Sequence, residues 1–399
     1  MLARLRRDLD IMPSPIEDRP GLLMRDPFHY SDATLIVPLE LVPCLEFFDG
    51  QKSELDLRAF LVKSSGHLDV GGLVDHLNQT LSKAGFLEDE AYARLKDGKA
   101  RAFAEAPVRE PVHAGSGYPD NPTELTTTFA EYMQGGAPEN GRKVRAIAAP
   151  HVSPFGGVET YRAAYSALSA EDADKTFVIL GTSHYGQPDR LGLTRKPFVT
   201  PLGETLTDLG LVERLEREAP ESIIEDYCHA VEHSIEFQVV FLQHLYGPRI
   251  KVVPVLCGSY ARSLYLGGKP EDNDDVRRAL GVLGDIAAKE SDRLRWVLGV
   301  DMAHMGARYG DDFEAKADQG EMGRVRERDL GRIARMEAGD AQGFWEQVQE
   351  NRDDLKWCGS APIYTFLKAV PEARGRLRHY HQWNIDEQSV VSFGALDFV

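Results

Sequence analysis

The chain holds only four cysteines in 399 residues, Cys44, Cys228, Cys257 and Cys358, and no two of them stand in C-x-x-C spacing. That excludes a disulfide scaffold, a zinc ribbon and a thioredoxin-type motif, so a cysteine with a role acts singly. No apolar run reaches the length of a membrane-spanning helix. Basic residues are the minority, 46 against 63 acidic ones, and the resulting net charge of −17 disfavours nucleic-acid binding through phosphate neutralisation. Neither G-x-G-x-x-G nor G-x-x-x-x-G-K occurs, so no dinucleotide or P-loop site is implied. The opening MLARLRRDLDIMP carries acidic residues where a secretory signal needs an unbroken apolar stretch. These absences together predict a cytoplasmic globular protein that binds neither nucleic acid nor membrane.

A composition of 42% hydrophobic and 27% charged residues suits two domains with cores of their own. Residues 1–31, rich in proline and mixed charge, read as an extended lead-in. Residues 32–100 read as a small helical domain with strand edges. It runs through the strand ATLIVP, the turn Asp49-Gly50, the amphipathic stretch SELDLRAFLVKSSG and a helix with Leu73, Leu77 and Leu81 at four-residue spacing, stopped at Gly85. A charged connector leads to a second domain at 107–399. There the apolar runs RAIAA, FVILG, IKVVPVLCG and LRWVLGV alternate with helical stretches, a pattern that predicts an α/β fold with a largely parallel central sheet and helices on its faces. The terminal SVVSFGALDFV reads as a last strand or strand pair.

Three strand-like runs end in a histidine: RAIAAPH at His151, FVILGTSH at His184 and RWVLGVDMAH at His304. In open α/β sheets the ligand crevice lies beyond the carboxyl ends of the strands, so these imidazoles are candidates for one site. Asp301 precedes His304 in a D-x-x-H pair. His233 and Glu236 open a helix on one face and read either as outer partners of a metal site or as a surface N-cap network, with Glu236, Asp301 or Glu232 as the carboxylate that orients a liganding imidazole. Cys358 lies in a Gly-, Ser- and Pro-rich break, KWCGSAP, where a thiolate is a soft ligand for copper, zinc or iron. Cys44 and Cys257 read as packing residues.

The motifs APHVSPFGGVETYRAAY, ILGTSHYG, TPLGE, EHSIEFQVVFLQHLYG, VVPVLCG, DMAHMG and WCGSAPIY follow one another in this order, preceded by PVHAGSGY. This set resembles the MEMO family, known in bacteria as the B component of the AmmeMemoRadiSam system, over about residues 112–399. The resemblance implies a three-layer αβα fold similar to class III extradiol dioxygenases. It places the metal ligands at His151, His184 and Cys358, and further catalytic groups at His304, Asp301 and His233, with His113 nearby. It also implies one transition metal ion, copper or iron with zinc as an alternative, and radical-SAM and AMMECR1-like partners. Two local departures, Tyr185 where relatives often have a second histidine and H-V-S-P where H-A-G-Y is common, reshape the pocket mouth without removing a ligand. Phe48, Asp49, Gly50, Leu77, Gly85, Phe86 and Leu87 in turn resemble the PqqD-like winged-helix-type domain, which implies peptide capture. The expected function is that of a metal-dependent redox protein or oxidoreductase. A peptide- or protein-binding adaptor is the alternative, and a zinc-dependent hydrolase the third.

Overall fold

The prolines and charges of the first thirty residues do not leave the chain extended. In the computed structural model, which describes residues 1–137, 143–220, 223–224 and 226–399, the strands Asp10–Pro13, Gly21–Arg25 and Thr34–Pro38 form an antiparallel sheet. The expected lead-in therefore belongs to a folded unit, Met1–Ala106. The physical reason is burial. Leu2, Leu9 and Met24 share a core with Leu57, Leu61, Leu77 and Leu81, while the buried Arg6 donates to both oxygens of Asp26 at 3.0 Å and to the Gly85 carbonyl at 3.0 Å. Pro13 stands at the end of an edge strand, where its missing N–H costs nothing. Three helices follow, Glu54–Ser65, Gly71–Lys83 and Glu90–Glu105. The first is opened by a capping box of Ser53 and Asp56. The second ends in a Schellman turn in which Gly85, at φ +71°, takes the left-handed conformation and the Gly85 and Phe86 N–H groups reach the Ser82 and Leu81 carbonyls.

The second unit is Pro107–Val399. Its four apolar runs are the strands Ala146–Ala149, Thr176–Thr182, Lys251–Cys257 and Leu294–Gly299, all mutually parallel. Alternation along Thr176–Thr182 divides the side chains between two cores. Val178 and Leu180 pack with Leu280, Leu283, Ile363 and Phe366 on one face, Phe177 and Ile179 with Val239, Val240 and Phe241 on the other. Helices therefore cover both faces of the sheet. The whole sheet is mixed, which corrects the expectation of a largely parallel one. Among the described residues it has ten strands, and Ser389–Phe398 runs antiparallel to Ala146–Ala149 and to Gly375–Asp386, as does Leu191–Leu193 to Lys251–Cys257. Only two residues join Gly375–Asp386 to Ser389–Phe398, and so short a link permits antiparallel pairing alone.

Strand order is what places the site. Leu294–Gly299, last of the four in sequence, inserts between Ala146–Ala149 and Thr176–Thr182. Segments that are up to 150 residues apart thus end side by side, about 4.8 Å from strand to strand. Arg6 is held by two carboxylates, the part-exposed Asp8 at 3.0 Å and the buried Asp26. Asp26→Ala removes the buried one and its charged hydrogen bonds and is expected to destabilise the Met1–Ala106 unit by about 1.5–3 kcal/mol. Denaturant unfolding followed at an N-terminal probe measures this, and a loss below about 1 kcal/mol, the range of an exposed pair, contradicts it.

Candidate metal centre

Each histidine at the strand ends is held by a backbone or carboxylate partner. The Nδ1–H of His151 donates to the Gly299 carbonyl at 2.9 Å. A carbonyl only accepts, so Nδ1 carries a hydrogen and Nε2 is the ring nitrogen that faces the site. That Nε2 lies 3.2 Å from the Cys358 Sγ and 3.4 Å from Asp301 Oδ2. The Nδ1–H of His184 donates to Glu232 at 3.0 Å, and the His184 backbone N–H to the same carboxylate at 2.9 Å.

Glu232 does a second job as N-cap of the helix His233–Tyr246, accepting from the His233 and Ser234 N–H groups. Its Oε1 is also 3.3 Å from His233 Nδ1. The helix start lies directly on the sheet edge because two strands carry a glycine at or next to their last position, Gly299 and Gly181. A Cβ on Gly299 would fall 2.2 Å from the Ser234 carbonyl oxygen, and one on Gly181 would fall 2.5 Å from Ser234 Oγ. His233 is thereby brought to the strand ends, and one ring nitrogen each of His151, His184 and His233 lie within 4.8 Å of one another. His151 is buried, whereas the His184 and His233 side chains are 29% and 26% exposed, so the group opens to solvent on their side.

Electrostatics sorts these groups. Burial alone raises the Glu232 carboxyl, but the neighbouring His184, with His233, outweighs it and holds the acid well below the usual carboxylate range. For His184 burial disfavours the charge, and Glu232 first and Cys358 next raise the imidazole well above its ordinary value. Burial pushes His233 well down, Glu232 opposing and His151, His184 and His113 adding to the effect, so that it stays neutral. The Cys358 thiol, which burial raises, is lowered on balance by the His151 and His184 imidazoles. Asp301 is pushed up to about 6 by burial, against His304 and the backbone N–H groups of His151 and Val152.

Sequence-based expectations meet this geometry unevenly. His151, His184 and His233 come together, with Cys358 against His151. Asp301 does not orient the His151 ring through Nδ1, a role taken by the Gly299 carbonyl; its Oδ1 instead accepts the His151 backbone N–H at 2.9 Å. His304 lies at the start of a short strand, His304–Gly306, and donates its Nδ1–H to the Met302 and Lys356 carbonyls, with Tyr309 edge-on at 5.0 Å. His113 stands edge-on to His233 at 5.6 Å. Cys44 and Cys257 are buried.

Glu236 does not partner His233. It is fully buried against Arg109, accepts the Tyr118 hydroxyl, and takes the His113 N–H at 3.0 Å. Arg109, which sequence reasoning missed, also donates to the His229 and Glu232 carbonyls at 2.9 and 2.8 Å and so braces the turn that carries Glu232. Its partners His229, Glu232 and Glu236 lie 120 to 127 residues away, so no local pattern marks it. Glu236→Gln leaves the Arg109 charge buried without its counter-ion and is expected to cost about 3–5 kcal/mol. Chemical denaturation of the variant measures the loss, and a cost under about 1 kcal/mol refutes a stabilising role for the pair.

Comparison with known proteins agrees with the motif order. The family model described as Memo-like protein matches residues 109–397. A MEMO1 family protein of Aquifex aeolicus is 30% identical over 291 residues, 72% of this chain and 73% of its own length. One of Thermococcus kodakarensis is 29% identical over 304 residues, 73% of this chain and 99% of its own, and one of Thermus thermophilus 26% identical over 324 residues, 81% and 91%. With most of the second unit matched by the family model, this chain belongs to the Memo-like protein family.

Proposed function

We propose that this chain is a redox-active metal protein in which His151, His184 and Cys358 hold one iron or copper ion. The observation that carries the reading is the convergence of three imidazoles within 4.8 Å with a thiol 3.2 Å from His151. The donor set fits such an ion. Imidazole and thiolate are borderline-to-soft ligands that suit iron, copper and zinc and disfavour magnesium and calcium. The outer partners fit as well, since the Gly299 carbonyl and the Glu232 carboxylate occupy the Nδ1 positions and leave Nε2 of His151 and His184 for the metal. When bound, iron or copper supplies one-electron redox chemistry.

The remaining steps belong to the protein's own side chains. His233, kept neutral by burial and aligned by Glu232, is the proton acceptor of the site, and its exposed edge faces entering solvent or substrate. Asp301 fixes the His151 backbone, and His304, anchored at Nδ1, presents its other nitrogen as a second proton carrier. The resemblance to class III extradiol dioxygenases supports an oxidoreductase, with a cysteine in place of the carboxylate of the usual two-histidine set. The same resemblance supports radical-SAM and AMMECR1-like proteins as partners.

Metal analysis of protein purified without added metal tests the reading. Near-stoichiometric iron or copper is expected in the wild type, in His233→Ala and in His304→Ala, and is expected to be lost in Cys358→Ala and His151→Ala. Retention in Cys358→Ala with loss in His233→Ala replaces the thiol by the third imidazole, and wild-type protein that takes up neither metal sinks the reading. Glu232→Gln, which removes the charge behind His184, is expected to weaken the metal about 10–100-fold. Because Glu232 and Cys358 raise the His184 imidazole well above its ordinary value against burial, metal binding is expected to displace a proton and affinity to rise with pH. Calorimetry in buffers of different ionisation enthalpy reads that proton.

A further inference from the structure

The helix Glu321–Ala338 buries one stripe, Met322, Val325, Asp329, Arg332, Ile333 and Met336. Aspartate and arginine thus stand at two positions where an amphipathic helix calls for apolar side chains. Asp329 is fully buried, and all its partners are short hydrogen bonds. Oδ1 accepts the Trp357 indole N–H at 2.7 Å, and Oδ2 accepts the Tyr380 and Ser392 hydroxyls at 2.7 and 2.6 Å. Arg332 donates to Asp353 at 2.7 Å and to the Gln347 carbonyl at 3.0 Å, with its guanidinium over the Trp357 ring at 5.2 Å.

The segment these two residues grip is strained. Asn351, Arg352, Asp353 and Lys356 all have φ between 52° and 57°, and none is glycine. Such left-handed residues cost on the order of 1–3 kcal/mol each and persist only where the surroundings over-determine them. The strained segment runs directly into Trp357 and Cys358. Asp354 pairs with the part-exposed Arg328, and two further ties run toward the 304–311 stretch that follows Asp301. The His304 N–H donates to the Leu355 carbonyl at 2.9 Å, and Lys356 Nζ reaches Asp311 at 2.7 Å. Ser392, while donating to Asp329, accepts the Ala303 N–H at 2.8 Å, between Asp301 and His304.

We propose that Asp329, assisted by Arg332, is a positioning residue for Cys358: it locks the left-handed 351–356 loop through Trp357 so that the thiol stays against His151, and through Ser392 it keeps the 301–304 segment in register with that thiol. A carboxylate with three donors fixes direction as well as distance, which an apolar residue at this position cannot do. The consequence for metal binding rests on the centre proposed above; the positioning itself does not.

Three variants test it. Asp329→Leu removes the acceptor, Trp357→Phe removes the indole donor while keeping an aromatic ring, and Tyr380→Phe removes a different donor from the same carboxylate as a control. In crystals of metal-free protein, Asp329→Leu and Trp357→Phe are expected to carry the Cys358 Sγ out of hydrogen-bond reach of His151 Nε2, while Tyr380→Phe keeps it. With cobalt(II) as the probe, the first two are expected to lose the thiolate-to-cobalt absorption and about tenfold in affinity. Should Asp329→Leu fail to fold, Trp357→Phe carries the test alone. A thiol that remains at the wild-type distance in Trp357→Phe, or that moves equally in Tyr380→Phe, overturns the proposal. If wild-type protein takes up no cobalt, the metal centre fails on its own, and the metal-free Sγ–Nε2 distance still decides the positioning role.

Discussion

The buried Glu232 carboxylate is the constraint on which the rest of the centre depends. One side chain caps the helix His233–Tyr246, fixes the ring of His184 and lies against that of His233. These are three geometric decisions made by a single group, and they are coupled through its charge. An ionised carboxylate this deep is tolerable only with its oxygens filled by donors, and the donors are the candidate ligands and the helix N-terminus itself. The positive end of the helix and the His184 imidazole offset the desolvation, so a charge that is costly to bury is also one that aligns the site.

Around this hub the protein places other charges at similar depth, each tied to a distant segment. Arg109 and Glu236 brace the turn before the helix, joining residues more than a hundred positions apart. Asp329 and Arg332 do the corresponding work beneath Cys358. The glycines serve the same end from the backbone side. Gly181 and Gly299 let Ser234 approach the strand ends, and Gly359 lies where a Cβ would meet the Asp301 carbonyl oxygen at 2.6 Å. Flexibility in the unfolded chain becomes close contact in the folded one.

Much of the framework is visible in the sequence because it rests on local periodicity. The four apolar runs are strands, and the helix ended by Gly85 stops where its left-handed turn requires. Residues 10–25 were misread because proline and charge are weighed locally, whereas the burial of Leu9, Met24 and the Arg6–Asp26 pair comes from helices later in the chain. The mixed character of the sheet escaped for a related reason. A parallel pattern can be read from alternation, but the strand beside which the last hairpin docks is not written in the hairpin.

At the site, sequence alone determined which residue types end the strands, histidine at 151 and 184 and the D-x-x-H pair at 301–304, since strand ends are marked by where apolar runs stop. It also marked E-H-S-I-E as a helix start. Only the tertiary structure decided that the strand leading to Asp301 lies between those leading to His151 and His184, that Glu232 and not Glu236 faces the imidazoles, and that Gly299 orients His151. The reason is physical. A hydrogen bond depends on distances of a few tenths of an ångström and on direction, and across 48 to 207 residues of chain these follow from packing, which no local pattern of residue types encodes.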